Sequence, residues 1–421
     1  MTTIKPSALS KDARPALDRR DERLQSEAGI RGALRGYLQR VRNGDIGALP
    51  VIVGLVIIAV IFQSLNSVFL SSDNLVNLLF DSCPVGVISL GIVCVLIVGE
   101  IDLSVGSVSG LSSAILGVLW VEHGWPVLVA VLAATLAGAV IGWVYAQMYN
   151  RFGMPSFVAT LAGLLGFLGL QLYLLGSNGS INLPYSSAMV NFGQLYFLPP
   201  VVSYVIAALA AVAVLVTGAA TAKQRRRAGL TARSLNVLIV QTMLLLAGLE
   251  ALVWYLNRDR GVPSMFALFA ALVVAMNYAL TRTKWGRLMH AVGGGREAAR
   301  RAGINVRGIY SSAFVLCSLL AAVGGVLAAA RLASSSQSAG TGDVNLNAIA
   351  AAVIGGTSLF GGRGSAYSAL LGILVIQSIS SGLTLLDLSS SLRFMITGAV
   401  LAIAVMVDSL ARKSRAAHGR A

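Results

Sequence analysis

The chain has 421 residues, of which 56% are hydrophobic and only 12% charged, where an ordinary soluble domain carries roughly 25% charged residues. So apolar a chain lacks the polar groups to cover its surface in water, which excludes a soluble globular protein and implies a membrane protein. The formal net charge of +15 does not point to nucleic acid, because the Lys and Arg residues lie between hydrophobic blocks, the way a bilayer sorts charge.

Residues 1–47 are polar and basic and show no apolar h-region of a secretory signal. Within them Ile30, Leu34, Tyr37, Leu38 and Val41 follow helical spacing, with Arg31, Arg35, Arg40 and Arg42 on other faces. That pattern predicts an amphipathic helix suited to lie along an anionic inner leaflet, behind a solvated tail at residues 1–28.

Beyond residue 47 the apolar residues come in blocks. Val51–Phe62, Leu128–Val144, Val201–Val216 and Phe314–Ala330 each lack any charged residue. With their flanks these blocks reach the roughly 20 residues that a spanning helix needs. The expected fold is an all-α, polytopic transmembrane helical bundle of about 12 spans. They fall at roughly 48–69, 75–98, 103–120, 126–148, 154–176, 200–219, 235–256, 264–281, 308–330, 346–361, 366–384 and 392–409. The tenth is short for a crossing and is rich in nearby glycine, so it and the eleventh are candidates for a broken or re-entrant hairpin. Residues 48–409 are thus one transmembrane domain with a cytoplasmic loop at about 282–308, followed by a tail at 410–421.

Charge asymmetry orients the chain. With residue 1 in the cytoplasm, 28 of the 32 Lys and Arg residues fall on the inside, the others being Arg258, Arg260, Arg331 and Arg393. By the positive-inside rule both termini are expected to be cytoplasmic. Gly138 with Gly142, and Gly163, Gly166 and Gly169, stand at spacings that let spanning helices approach closely. Cys83, Cys94 and Cys317 lie inside apolar spans with no disulfide or metal spacing and read as small buried hydrophobes.

Three segments interrupt the apolar pattern. The first, Gly99 to Ser107, sets Glu100, Asp102, Ser104 and Ser107 between two spans with no basic residue near. A carboxylate at the bilayer centre costs about 2.5–3.5 kcal/mol, so this segment either lines or braces a polar pathway or is a short turn in which Asp102 or Ser104 caps the third helix. The second, Trp285 to Asn305, places Gly293, Gly294 and Gly295 before Arg296, Glu297, Ala298, Ala299, Arg300, Arg301 and Ala302, with Gly303 as the stop. A two-turn helix of this kind is unstable alone and needs packing against a partner or against the spans. The third runs from Asn345 and Asn347 through Gly355, Gly356, Thr357, Ser358, Gly361, Gly362 and Gly364. Its glycines suggest a hinge, since no Gly-Lys-Ser/Thr phosphate loop occurs anywhere in the chain. His123, His290 and His418 are isolated, and no nucleophile or metal constellation is seen; Asp81 and Glu250 are the chief charges inside spans, with no obvious basic partner.

These segments resemble the membrane permeases of bacterial monosaccharide ABC importers, in the ribose/xylose branch. The resemblance is carried by Glu100-Ile101-Asp102-Leu103-Ser104-Val105-Gly106-Ser107, by Arg296 through Asn305, and by Ala348-Ile349-Ala350 with Gly355 through Gly362, and it spans about residues 48–409. The added spans near 200–256 and the ending Asp408-Ser409-Leu410-Ala411-Arg412-Lys413 look most like the D-xylose type. Glu100 departs from the ribose-type pattern, where a glycine is common before Ile-Asp-Leu-Ser.

The resemblance implies a non-enzymatic transport subunit of the inner membrane with no cofactor of its own. Two permease copies would form the pore, a cytoplasmic ABC ATPase would hydrolyse ATP beneath it, and an extracytoplasmic sugar-binding protein would dock above. Arg296, Glu297, Ala298, Ala299, Arg300 and Gly303 would then form the coupling helix. Glu100, Asp102, Ser104, Asn347, Gly355, Gly356 and Thr357 would belong to the pathway or its gate. The rival expectation is a secondary sugar transporter or channel working without an ATPase.

Overall fold

Lipid offers no partners to backbone N–H and C=O groups, so apolar runs of this length satisfy them internally as helices. A computed structural model describes residues 49–232 and 234–389, together with 391, 392, 394–396, 398, 399, 402 and 406. In chain order the helices are α1 (Leu49–Leu65), α2 (Ser72–Ile97), α3 (Val105–Gly117, continued by a π turn at Val118–Glu122), α4 (Val127–Phe152), α5 (Ser156–Leu175), α6 (Ala188–Gln194) and α7 (Pro200–Arg227). They continue as α8 (Leu235–Leu256), α9 (Ser264–Arg282), α10 (Lys284–Gly294), α11 (Arg296–Arg301), α12 (Val306–Leu332), α13 (Val344–Ile354) and α14 (Ala366–Leu385). Two short strands, β1 (Ser180–Asn182) and β2 (Ser334–Ser336), pair antiparallel with Ile181 opposite Ser335.

Each of the first eleven expected spans falls on a helix. Among the described residues nine helices are long and apolar enough to cross a membrane, and α1 and α13 are shorter. Nine is therefore the count of full-length spans in the described part, below the twelve expected. The last expected span, at 392–409, lies largely outside the described residues, and the amphipathic helix within 1–47 and the tail at 410–421 lie wholly outside them. Four helices start directly after a proline: Pro126, Pro155, Pro199 and Pro263 precede α4, α5, α7 and α9. Proline has no N–H to lose at a helix start, which makes it a cheap boundary there.

The chain divides into two compact units. In one, Pro199–Tyr255, α7 and α8 form a hairpin in which Gly218 admits the side chain of Leu238. The second comprises the described residues from Leu49 to Leu198 and from Leu256 onward. At its centre stands α2, whose apolar window is 89% buried in protein, with α12 at 72%. By contrast α4 and α5 are only 28% and 22% buried, so their apolar faces are left for lipid.

Backbone contact, made possible by glycine, joins the central helices. A Cβ on Gly91 of α2 would stand 2.8 Å from the carbonyl oxygen of Cys317 in α12, and one on Gly324 of α12 would stand 2.8 Å from that of Pro84 in α2. Gly138 and Gly142 of α4 meet Ala322 and Val315 of α12 in the same way, 2.5 and 2.7 Å from where their Cβ would sit. The expected close packing holds there and at Gly163, which faces the Tyr145 ring, but Gly166 and Gly169 have no neighbour within 4 Å. Their helix, α5, is among the least buried, so a small-residue spacing there had no partner to receive it.

Helix α13 is a half-length element. Its 11 residues extend about 16 Å at 1.5 Å per residue, against roughly 30 Å of hydrocarbon. The chain then turns through residues 355–365, with φ of 104° at Gly356, 82° at Gly361 and 74° at Gly362, before returning along α14.

Candidate coupling and translocation site

The turn after α2 is built on glycine. Gly99 adopts φ 85°, its N–H donates to Leu96 O at 2.9 Å, and that of Glu100 donates to Val95 O at 3.1 Å. This is the paired closure that left-handed glycine allows at a helix end. Asp102 follows in a fully buried position. Its Oδ1 accepts from the Ser104 amide at 2.8 Å and from the Ser104 hydroxyl at 2.7 Å, at the first turn of α3. Burial pushes the Asp102 carboxyl above the usual carboxylate range, while the two bonds from Ser104 act the other way. Asp102 and Ser104 are thus enclosed at a helix start.

Glu100 points elsewhere. It accepts from the Tyr149 hydroxyl of α4 at 2.5 Å, and that hydroxyl accepts from Arg296 Nη1 at 3.0 Å. The Arg296 guanidinium also lies over the rings of Tyr149 and Tyr310, 5.5 and 5.4 Å from their centroids. A polar bridge therefore runs from the first unusual segment to the second.

The third segment meets both. The Gly362 amide donates to Ile97 O, the last residue of α2, at 2.8 Å. A Cβ on Gly361 would stand 2.8 Å from Gly293 O and 2.9 Å from Gly99 Cα, and one on Gly362 would stand 2.9 Å from Gly294 Cα. His290 of α10 lies 3.3 Å from Gly364 O. The three segments, the first and third of them more than two hundred residues apart in the chain, close on one another backbone to backbone at one end of α2.

The helix expected at the second segment is α11. Its end is closed by hydrogen bonds from Gly303 to Arg300 O at 3.0 Å and from Ile304 to Ala299 O at 3.1 Å, with Gly303 at φ 79°. Glu297 and Arg300 pair at 2.9 Å across one exposed face. Of its small residues Ala299 is buried, while Ala298 and Ala302 are exposed. Residues Asn347, Gly355, Gly356 and Thr357 are less closely joined. Asn347 donates to Asp343 Oδ2 at 2.8 Å, and Thr357 is buried, its methyl 2.9 Å from where a Gly364 Cβ would be. Gly355 lies against the Ser368 backbone of α14, and Gly356 has no neighbour within 4 Å.

One expectation is corrected. Asp81 has a basic partner: Arg331 Nε donates to its Oδ1 at 2.8 Å. The two are 250 residues apart, so sequence proximity gave no sign of the pair. Tyr149 was also missed, and Gly293, named only as part of the loop ahead of the short helix, was not expected to meet the third segment. A tyrosine in the last turn of an apolar span and a glycine in a basic loop carry no signal until their neighbours are known. Among the described residues no group of three or more His, Cys, Asp or Glu gathers into a metal site.

A polytopic helical membrane subunit with an exposed short helix tied to its span ends, and with no nucleotide loop of its own, is the form of a transporter permease. The chain belongs to the family described as branched-chain amino acid transport system / permease component, whose model matches residues 74–405. It is 33% identical over 393 residues to the xylose transport system permease protein XylH of Escherichia coli strain K12, covering 92% of this chain and 98% of that one. To the protein of the same name from Haemophilus influenzae it is 33% identical over 374 residues, 87% of this chain and 97% of that one. To the ribose import permease protein RbsC of Bacillus subtilis it is 31% identical over 366 residues, 87% and 94% of the two chains. No solved structure matches the chain.

Proposed function

We propose that this chain is the membrane permease of an ATP-driven importer that carries a monosaccharide, D-xylose by preference, into the cytoplasm. Two copies form the pore in the inner membrane, with both termini on the cytoplasmic side. A separate ABC ATPase docks against α11, and an extracytoplasmic sugar-binding protein delivers the substrate at the opposite face. The observation that carries this reading is the meeting of Gly293 and Gly294, the end of α10 next to α11, with the Gly99 turn and the Gly361–Gly362 turn at one end of α2. A push on α11 is passed through the adjoining Gly293–Gly294 end of α10 to the turn after the half-helix α13 and to the central span.

Within this scheme Ala298 and Ala302 are the small surface that a groove on the ATPase accepts, flanked by Glu297 and Arg300. Glu100 belongs to the coupling end through Tyr149, while Asp102 and Ser104 hold the start of α3 rigid beside it. Asn347, Gly355, Gly356 and Thr357 flank the break after α13 and would serve as the gate. The test is co-purification of the chain with its ATPase and binding protein, followed by ATPase assay with and without sugar. D-xylose should stimulate hydrolysis through the loaded binding protein. Stimulation by a branched-chain amino acid and by no sugar would overturn the substrate class.

A further inference from the structure

Away from the coupling end, α2 and α14 face each other with polar side chains. On α2 the face is Asn74, Asn77 and Asp81, at positions i, i+3 and i+7; on α14 it is Gln377, Ser380, Ser381 and Thr384, at i, i+3, i+4 and i+7. They line a cavity of about 140 Å³, with Leu78 and Leu385 as its apolar walls. Two membrane helices do not each spend one face on amides, hydroxyls and a carboxylate to satisfy lipid, in which such groups are costly.

We propose that this cavity is a monosaccharide-binding site on the permease itself, an entry station through which the sugar passes after leaving its binding protein. The inference rests on the sugar-import reading above and assigns residues to it. The volume suits a small ligand, since drug-sized sites run to about 300–1,000 Å³. The chemistry suits a polyol: amides and a carboxylate offer paired donors and acceptors to vicinal hydroxyls, and the leucines offer surface to C–H groups.

Hydrogen bonds hold the lining in place. Ser381 Oγ donates to Asn74 Oδ1 at 3.0 Å, joining the helices across the cavity. Arg331 donates to Asp81 Oδ1 at 2.8 Å and to Asn77 Oδ1 at 3.4 Å, so a cation balances the carboxylate and orients the amide. Position agrees as well. Asp81 lies nine residues into the 26-residue α2, about 13 Å from its first residue, whereas the coupling loop meets the other end of the same helix at Ile97. The cavity is therefore at the end remote from the ATPase, where substrate arrives.

The three native cysteines are buried, so Ser380→Cys or Thr384→Cys supplies the accessible thiol. Right-side-out vesicles holding the permease with its ATPase would be treated with a membrane-impermeant methanethiosulfonate cation. Both variants should be labelled, and D-xylose at twice its dissociation constant should slow labelling about threefold by simple occupancy. Sucrose, too large for the cavity, should not. Adding Gln377→Leu should leave labelling intact and remove the protection. Equal labelling with and without D-xylose, in vesicles whose unsubstituted importer takes up xylose, overturns the site and leaves the import reading standing. No labelling of either thiol overturns it too, because the cavity is then closed to the arriving sugar. An unsubstituted importer that takes up no pentose overturns the import reading, and missing protection in that case removes the site as well.

Discussion

Arg296, in the loop between α9 and α12, donates to the hydroxyl of Tyr149 in α4 at 3.0 Å, and that hydroxyl passes a bond on to Glu100 at 2.5 Å. One oxygen thus joins the first residue of α11 to the turn that ends α2. The departure at Glu100 from the glycine common in ribose-type chains has a structural use here, as the far anchor of this bridge.

Tyr149→Phe tests the bridge with the least disturbance, because the ring that stacks on Arg296 remains. Hydrogen bonds to charged groups are worth about 1.5–3 kcal/mol, and about 1.4 kcal/mol is tenfold. Sugar-stimulated ATPase and uptake should fall about tenfold, with membrane yield and basal hydrolysis unchanged. Full stimulation in the variant would show that coupling takes another route.

The glycine junction leads to a stability prediction. At Gly361 a side chain meets two obstacles: a φ of 82°, and backbone atoms of Gly293 and Gly99 within 2.9 Å of its Cβ. Overpacking of this kind typically costs about 1–3 kcal/mol, and backbone strain adds to it. Gly361→Ala should lower the thermal midpoint and the membrane yield of the purified permease, whereas Gly166→Ala, which meets nothing within 4 Å, should leave both unchanged. Equal stability of the two variants would remove the junction from its structural role.

The spans were legible because their signal is local: about twenty apolar residues between polar turns need no tertiary information. Even the half-length α13 showed itself, through the glycines that follow it. The contacts that define the site were not legible. Tyr149 matters through partners 49 and 147 residues away, and Asp81 through Arg331, which the sequence placed at the end of another span. The open Gly166 and Gly169 make the converse point, since small-residue spacing allows close packing but does not supply the second helix. Within the first segment composition left two roles open. The burial of Asp102 and its bonds to Ser104 give that residue the helix-start role, while Glu100 turns toward the loop.

The proposed orientation rests on the basic residues and is checked by labelling from outside. Cysteines placed at Arg225 and Arg412 should be shielded from an impermeant reagent in intact cells, while one at Tyr185, which is exposed, should react. Reaction at position 225 with none at 185 would reverse the topology and put α11 on the wrong side for an ATPase.

The proposed coupling helix carries the last prediction. Glu297 lies in the first turn of α11, where a carboxylate is favoured by the helix dipole, and it pairs with Arg300 on an exposed face. Glu297→Lys replaces that pair with a repulsion and inverts the charge presented to a partner. An exposed ion pair contributes at most about 1 kcal/mol, so the fold should survive while docking suffers. Gly303 sits at φ 79° with nothing within 4 Å of its Cβ, so Gly303→Val strains the backbone without a clash and loosens the stop of α11. Both variants should reach the membrane at normal yield, retain less ATPase in pull-down, and lose most of the stimulation by loaded binding protein. Normal stimulation in both would mean that α11 is not the coupling element. Loss of yield along with stimulation calls for Gly303→Asn, which tolerates the left-handed conformation and should restore yield and stimulation together if the helix stop is what coupling requires.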